Sequence, residues 1–166
     1  MMELEIRPAP LRKTLLVPAS RQKAFAVFAG RMHEWSPAVQ SLLGGRRDIV
    51  IEGRPGGRWY EISADGAEAD WGRVLAWEPP HRLLLAWQLD ADFQCDPGLV
   101  TEVEVRFFEE EPRRTRIEFE HRHLERFGAR AAEVAASLDG EGGWSGSFAL
   151  YAALLGKEQE APHAAG

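Results

Sequence analysis

The stretch LVTEVEVRFF, residues 99–108, decides the fold. Val103, Val105 and Phe107 alternate there with Glu102, Glu104 and Arg106, the period-two pattern of a strand with one buried and one wet face. Glu109-Glu110-Glu111-Pro112 reads as a turn. Arg114 to His123 then alternates again, with Thr115, Ile117, Phe119 and His121 opposite Arg116, Glu118, Glu120 and Arg122. Neighbouring strands of this kind belong to a single-layer antiparallel sheet. Upstream, residues 11–17, 48–53, 58–63, 69–77 and 81–89 read as further strands, separated by Pro18, Pro55-Gly56-Gly57, Asp65-Gly66 and Pro79-Pro80, which is turn chemistry.

Helical signals flank these strands. Ser20 is an N-cap for a short helix carrying Ala24, Phe25, Val27 and Phe28, stopped at Gly30. Met32–Trp35 forms another turn before Pro37, and residues 38–47 read as a loop. The Ala-rich residues 128–138 supply a helical turn or two before Gly140, Gly142 and Gly143. Trp144, Phe148, Tyr151 and Leu155 recur at i, i+4, i+7 and i+11, one stripe of a final helix that Gly156 is expected to end. The pattern predicts one α+β domain over 1–166, with a core of about 11–156 and a flexible tail at 157–166.

Composition excludes several classes of function. Twenty basic against 26 acidic residues give a net charge of −6, unlike the basic excess of a nucleic-acid surface. The single Cys95 forms no internal disulfide and no Cys-based zinc site. No stretch approaches the ~18 apolar residues of a membrane span, and residues 1–10 carry no signal-peptide core. A cytoplasmic location with no membrane insertion is therefore expected. A bent sheet covered by one long helix and two short ones is hard to fill with side chains, so an apolar cavity is expected between them.

Several pieces taken in order resemble a known family. They are Val17-Pro18-Ala19-Ser20 with Ala24-Phe25 and Phe28, then Trp35, then Pro55-Gly56-Gly57-Arg58-Trp59. Gly72-Arg73-Val74, Trp77-Glu78-Pro79-Pro80-His81-Arg82-Leu83 and Trp87 follow. Val100-Thr101-Glu102-Val103, Thr115-Arg116-Ile117, His121 and Gly143-Trp144 complete the set. Together they resemble the START-like, helix-grip superfamily, also called SRPBCC, in the branch similar to the activator of heat-shock protein 90 ATPase. The resemblance implies a curved antiparallel sheet wrapped around the C-terminal helix, with a deep apolar pocket. It does not assign an activity, because members include hydrophobic-ligand and lipid carriers, polyketide cyclases and aromatases, and co-chaperone-like domains.

Strand parity places Val74, Leu85, Trp87, Val103, Val105, Phe107, Ile117 and Phe119 on the pocket face, and the last helix adds Trp144, Phe148 and Tyr151. Most such side chains serve as core. Six Trp in one chain nevertheless make Trp35, Trp59, Trp87 and Trp144 candidates for ligand contact. If Trp59 faces inward, Glu61 does too, and His121 lies inward at the end of its strand. The pair is either a carboxylate and an imidazole able to orient a polar ligand tip or move a proton, or a structural pair, with Glu61 bound to an arginine such as Arg73 and His121 at the strand end. The ligand-binding set is thus Trp35, Trp59, Glu61, Val74, Leu85, Trp87, Val103, Val105, Phe119, His121, Trp144, Phe148 and Tyr151. Glu61 and His121 are the candidates for catalysis, and no catalytic residue is assigned.

No cofactor or metal is expected. His121-x-His123 would need Glu61 as a third ligand, and His33 and Asp70 add nothing by spacing. Cys95 sits among acids that raise its pKa. Gly-x-Ser-x-Gly, phosphate-loop and dinucleotide patterns are missing. Binding of a small hydrophobic or aromatic molecule is the leading expectation. The alternatives are a cyclase- or hydrolase-type enzyme using the same pocket, or a co-chaperone-like domain with a protein partner. A homodimer through a sheet edge or the outer helix face stays open.

Overall fold

A computed structural model describes residues 8–37 and 41–159. The expected tail beyond Gln159, part of the 38–47 loop and the first seven residues lie outside the described residues. Seven antiparallel strands form one sheet: β1 (Leu11–Val17), β2 (Arg46–Ile51), β3 (Arg58–Ser63), β4 (Glu68–Glu78), β5 (Arg82–Trp87), β6 (Thr101–Glu111) and β7 (Arg114–Arg122). Their spatial order is β1-β7-β6-β5-β4-β3-β2. The helices are α1 (Arg21–Gly30), α2 (Met32–Trp35), α3 (Ala131–Asp139), preceded by a 3₁₀ segment at Leu124–Arg130, and α4 (Trp144–Gln159). This is the α+β helix-grip fold. Ser20 caps α1, its hydroxyl accepting from the Lys23 amide at 3.1 Å.

Alternation along β6 and β7 is realised side chain by side chain. Val103, Val105, Phe107, Ile117 and Phe119 are buried on the concave face, where Trp144, Phe148, Tyr151 and Leu155 of α4 meet them. Each large apolar side chain buried there contributes about 1.5–3 kcal/mol. The convex face carries ion pairs instead. Burial pushes the Glu104 carboxyl up, but hydrogen bonds from Arg82, Arg122 and Arg106 outweigh it and hold the group at about 2.

Two boundaries differ from expectation. Glu109 and Glu111 do not turn the chain: β6 runs through Glu111, paired with Arg114, and the reversal falls at Pro112-Arg113. Exposed acidic side chains are tolerated in a strand whose partner presents arginines. Gly156 does not end the last helix, which continues to Gln159. Glu158 pairs with Lys23 at 2.6 Å and Arg31 at 2.5 Å, tying the last turn to the first helices, so residues 157–159 are helix rather than tail.

Two irregularities in β4 position the interior. Trp59 pairs with Gly72 and Tyr60 with Asp70, so Trp71 is an extra residue turned inward by a β-bulge. A Cβ on Gly72 would lie 1.7 Å from the Ala86 carbonyl oxygen, so this approach of β4 to β5 admits only glycine. A second register shift between Val74 and Ala76 leaves Leu75 exposed.

Candidate functional site

Trp59, Glu61 and Ser63 share the buried face of β3. The Glu61 carboxylate is held from several directions. It accepts from the Ser41 hydroxyl at 2.9 Å, the Leu42 and Leu43 amides at 2.6 and 3.1 Å, and the Trp71 indole at 2.9 Å. Its partner is therefore the loop after α2 together with Trp71, not Arg73. Arg46 lies nearby, its guanidinium pKa lowered by burial and raised in part by Glu61, and donates to the Ser36 carbonyl at 2.8 Å.

His121 is likewise committed. Its Nδ1 accepts the Trp144 indole proton at 3.1 Å, and its Nε2 lies 2.8 Å from Thr101 Oγ1. An indole only donates, so the ring proton is on Nε2 and points at Thr101. Thr101 in turn donates to the Trp87 carbonyl at 3.2 Å. Burial pushes the imidazole down to about 3. A neutral ring with both nitrogens engaged has its one proton and its one lone pair already committed.

The tryptophans form one connected cluster. Trp59 lies 5.5 Å from Trp71 and 5.6 Å from Trp87; Trp71 is 5.9 Å from Trp87, and Trp87 is 5.5 Å from Trp144 between ring centroids. Trp35 packs against Phe28, Phe148 and Tyr151 and reaches the cluster through Phe148, which stacks on Trp144. Phe119 joins Trp144 and Phe148, and the fully buried Val74, Leu85, Val103 and Val105 back the cluster. The Tyr151 hydroxyl donates to the Ala24 carbonyl at 2.6 Å, and burial raises its pKa.

Phe93 closes the outer end. It is half-buried, stands in the loop between β5 and β6, and packs on Trp71 and Trp87 at 6.3 and 6.0 Å. Its φ of 61° is left-handed, which costs a non-glycine residue about 1–3 kcal/mol. Asp90 holds that turn, its carboxylate accepting from the Asp92 and Gln94 amides at 2.9 Å each. Sequence parity missed both Trp71 and Phe93. The Trp71-Gly72 dipeptide was the available signal for the first; the second carried none.

The histidine pair does not converge. β7 ends at Arg122, and His123 adopts a φ of 68°, turning its ring toward Glu102 and Glu125, both 3.7 Å away. His33 lies 3.0 Å from Asp48, and Asp70 pairs with Arg58 at 2.8 Å. Among the described residues no group of three or more His, Cys, Asp or Glu is placed to hold a metal. Burial, then Asp70 and Asp96, push the Cys95 thiol up. A separate open groove of about 620 Å³ lies beside α1, lined by Phe25, Ile51, Trp77, Pro79 and Pro80 among others. No helix among the described residues is long and apolar enough to cross a membrane.

Comparison with known proteins gives this geometry a family. The anthrahydroquino-γ-pyrone synthase Txn09, complexed with SUM, is 36% identical, with a TM-score of 0.64 over 87% of this chain and 96% of that one. The self-sacrificing resistance protein CalC from Micromonospora echinospora is 27% identical, with a TM-score of 0.68 over 92% and 97%. An Aha1 dimer from Colwellia psychrerythraea shares the fold at 14% identity and a TM-score of 0.58, over 89% and 96%. No curated protein sequence matches the chain. The sequence profile of the Activator of Hsp90 ATPase homolog 1-like proteins matches residues 18–156, and the chain belongs to that family.

Proposed function

We propose that this protein binds a planar aromatic small molecule, of the polyketide type, between the concave sheet and α4. The observation that carries the reading is the connected cluster of Trp59, Trp71, Trp87 and Trp144 on one inner face. Large rigid rings offer a flat ligand much contact area at little cost in conformational entropy. Trp35, Val74, Leu85, Val103, Val105, Phe119, Phe148 and Tyr151 form the apolar surround. Glu61 and His121 hold the walls in place. Phe93, on a surface loop, is the point of entry. The 36% identity to an anthrahydroquino-γ-pyrone synthase supports an aromatic ligand over a fatty acid.

The test is native mass spectrometry of freshly purified protein beside its denatured mass, with tryptophan quenching by anthraquinones, flavonoids and fatty acids. A co-purifying aromatic molecule, or micromolar quenching lost in Trp87→Ala, supports the reading. A clean apo mass and silence across the screen overturns it and shifts weight to a protein partner.

Catalysis is a second reading, favoured by the same identity to a synthase. With Glu61 and His121 saturated, this interior would act by holding a reactive chain in a folded geometry. Chromatography with mass detection of polyketide-like aromatics incubated with the protein decides it: turnover supports it, and unchanged substrate removes it.

A further inference from the structure

Three buried indoles of the interior give their N–H groups to protein acceptors. Trp35 donates to the Val27 carbonyl at 3.2 Å, Trp71 to Glu61 at 2.9 Å and Trp144 to His121 at 3.1 Å. Trp59 is fully buried, and its Nε1 has no hydrogen-bond partner. Other buried side-chain nitrogens in that condition differ in kind. Those of Arg21, Arg46 and Arg116 belong to guanidinium groups with further donors, and His33 Nδ1 lies 3.0 Å from the Asp48 carboxylate. Among the described residues, Trp59 Nε1 is thus the fully enclosed indole donor that goes unpaired. Buried donors normally find an acceptor.

The surroundings limit what that acceptor is. Glu61 is a carboxylate saturated by four hydrogen bonds, so an anion beside it meets like charge. His121 is neutral and fully engaged. The hydroxyls of Thr101, Thr115 and Tyr151 all donate to backbone carbonyls. A carbonyl oxygen, which only accepts, needs one unpaired donor, and the Trp59 indole supplies it. Resting on the ligand-binding reading above, the geometry points to a ligand class. We propose that the interior selects planar aromatic ketones and quinones, with Trp59 Nε1 donating to the ring carbonyl.

The test compares 9-fluorenone with fluorene, two flat tricyclic probes that differ in one carbonyl, by tryptophan quenching on the wild type and Trp59→Phe. The expected result is a wild-type preference for fluorenone of about tenfold, the size of one net hydrogen bond. That ratio falls to near unity in Trp59→Phe, whose ring keeps the site apolar. Independently of any variant, the Trp59 indole proton moves downfield in NMR spectra on adding fluorenone and not fluorene. Equal binding of the two probes to the wild type, or a preference that survives in Trp59→Phe, overturns the carbonyl assignment and leaves aromatic binding standing. Binding of neither probe overturns both readings.

Discussion

The Trp144 indole donates to Nδ1 of His121 across 3.1 Å, and this contact locks the buried imidazole in its neutral form. Folding therefore depresses the His121 pKa from 6.5 to about 3, by burial. The unfolded chain binds more protons than the folded one between these values. Stability is fully present above pH 6.5 and falls as pH drops, with a slope from this group approaching about 1.4 kcal/mol per pH unit. Glu34, Glu104, Glu133 and Glu158, all lowered from 4.5 by arginine or lysine partners, add a loss of the same sign as pH falls through that value. Urea midpoints between pH 6.5 and about 5.5 are thus dominated by His121. The decline should flatten in His121→Gln; an equal slope in both proteins would refute the buried neutral ring.

Glu61 joins β3 to the loop after α2 and to Trp71. Glu61→Gln replaces one accepting oxygen by a donor and strands about two of the four groups now bound. The expected loss is about 2–4 kcal/mol, read as a lower urea midpoint at constant m. A change under about 0.5 kcal/mol, the range of ordinary surface substitutions, would contradict the network.

Gly72 is required by the approach of β4 to β5. Gly72→Ala places a methyl group on the Ala86 carbonyl, and the expected destabilisation is about 3 kcal/mol or more. Gly44→Ala, with open space around the new atom, is the control and should stay within about 0.5 kcal/mol. Similar thermal midpoints for the two variants would show that the strands part without penalty.

Phe93 shields the tryptophan cluster from solvent. Phe93→Ala should red-shift tryptophan emission and raise acrylamide quenching. Stability should drop by about 1–2 kcal/mol, less than for a fully buried phenylalanine. Association of an aromatic probe, followed by stopped flow, should become faster. Unchanged emission and unchanged association together remove Phe93 from the entry path.

Much of the architecture could be read from local pattern. The facing of Val103, Val105, Ile117 and Phe119 follows from period-two alternation, and that of Trp144, Phe148 and Tyr151 from helical spacing. Ser20 announced α1. Misreadings arose where a distant segment decided the outcome. Trp71 is inward because the β3 register skips it, and Gly156 remains helical in a turn that Glu158 ties to Arg31 and Lys23. His123 leaves the parity of His121 because its backbone turns left-handed.

The sequence by itself determined the sheet, the long final helix and the inward face of the regular stretches, since those depend on spacing along one element. Only the tertiary structure decided how the inward polar groups are used. Glu61 takes its donors from residues 10 to 20 positions away, and His121 takes its partners from 20 and 23 positions away. Hydrogen-bond satisfaction depends on which distant segments meet. For that reason two candidates for proton transfer proved to be fully engaged, and the unpaired donor at Trp59 emerged only from the assembled interior.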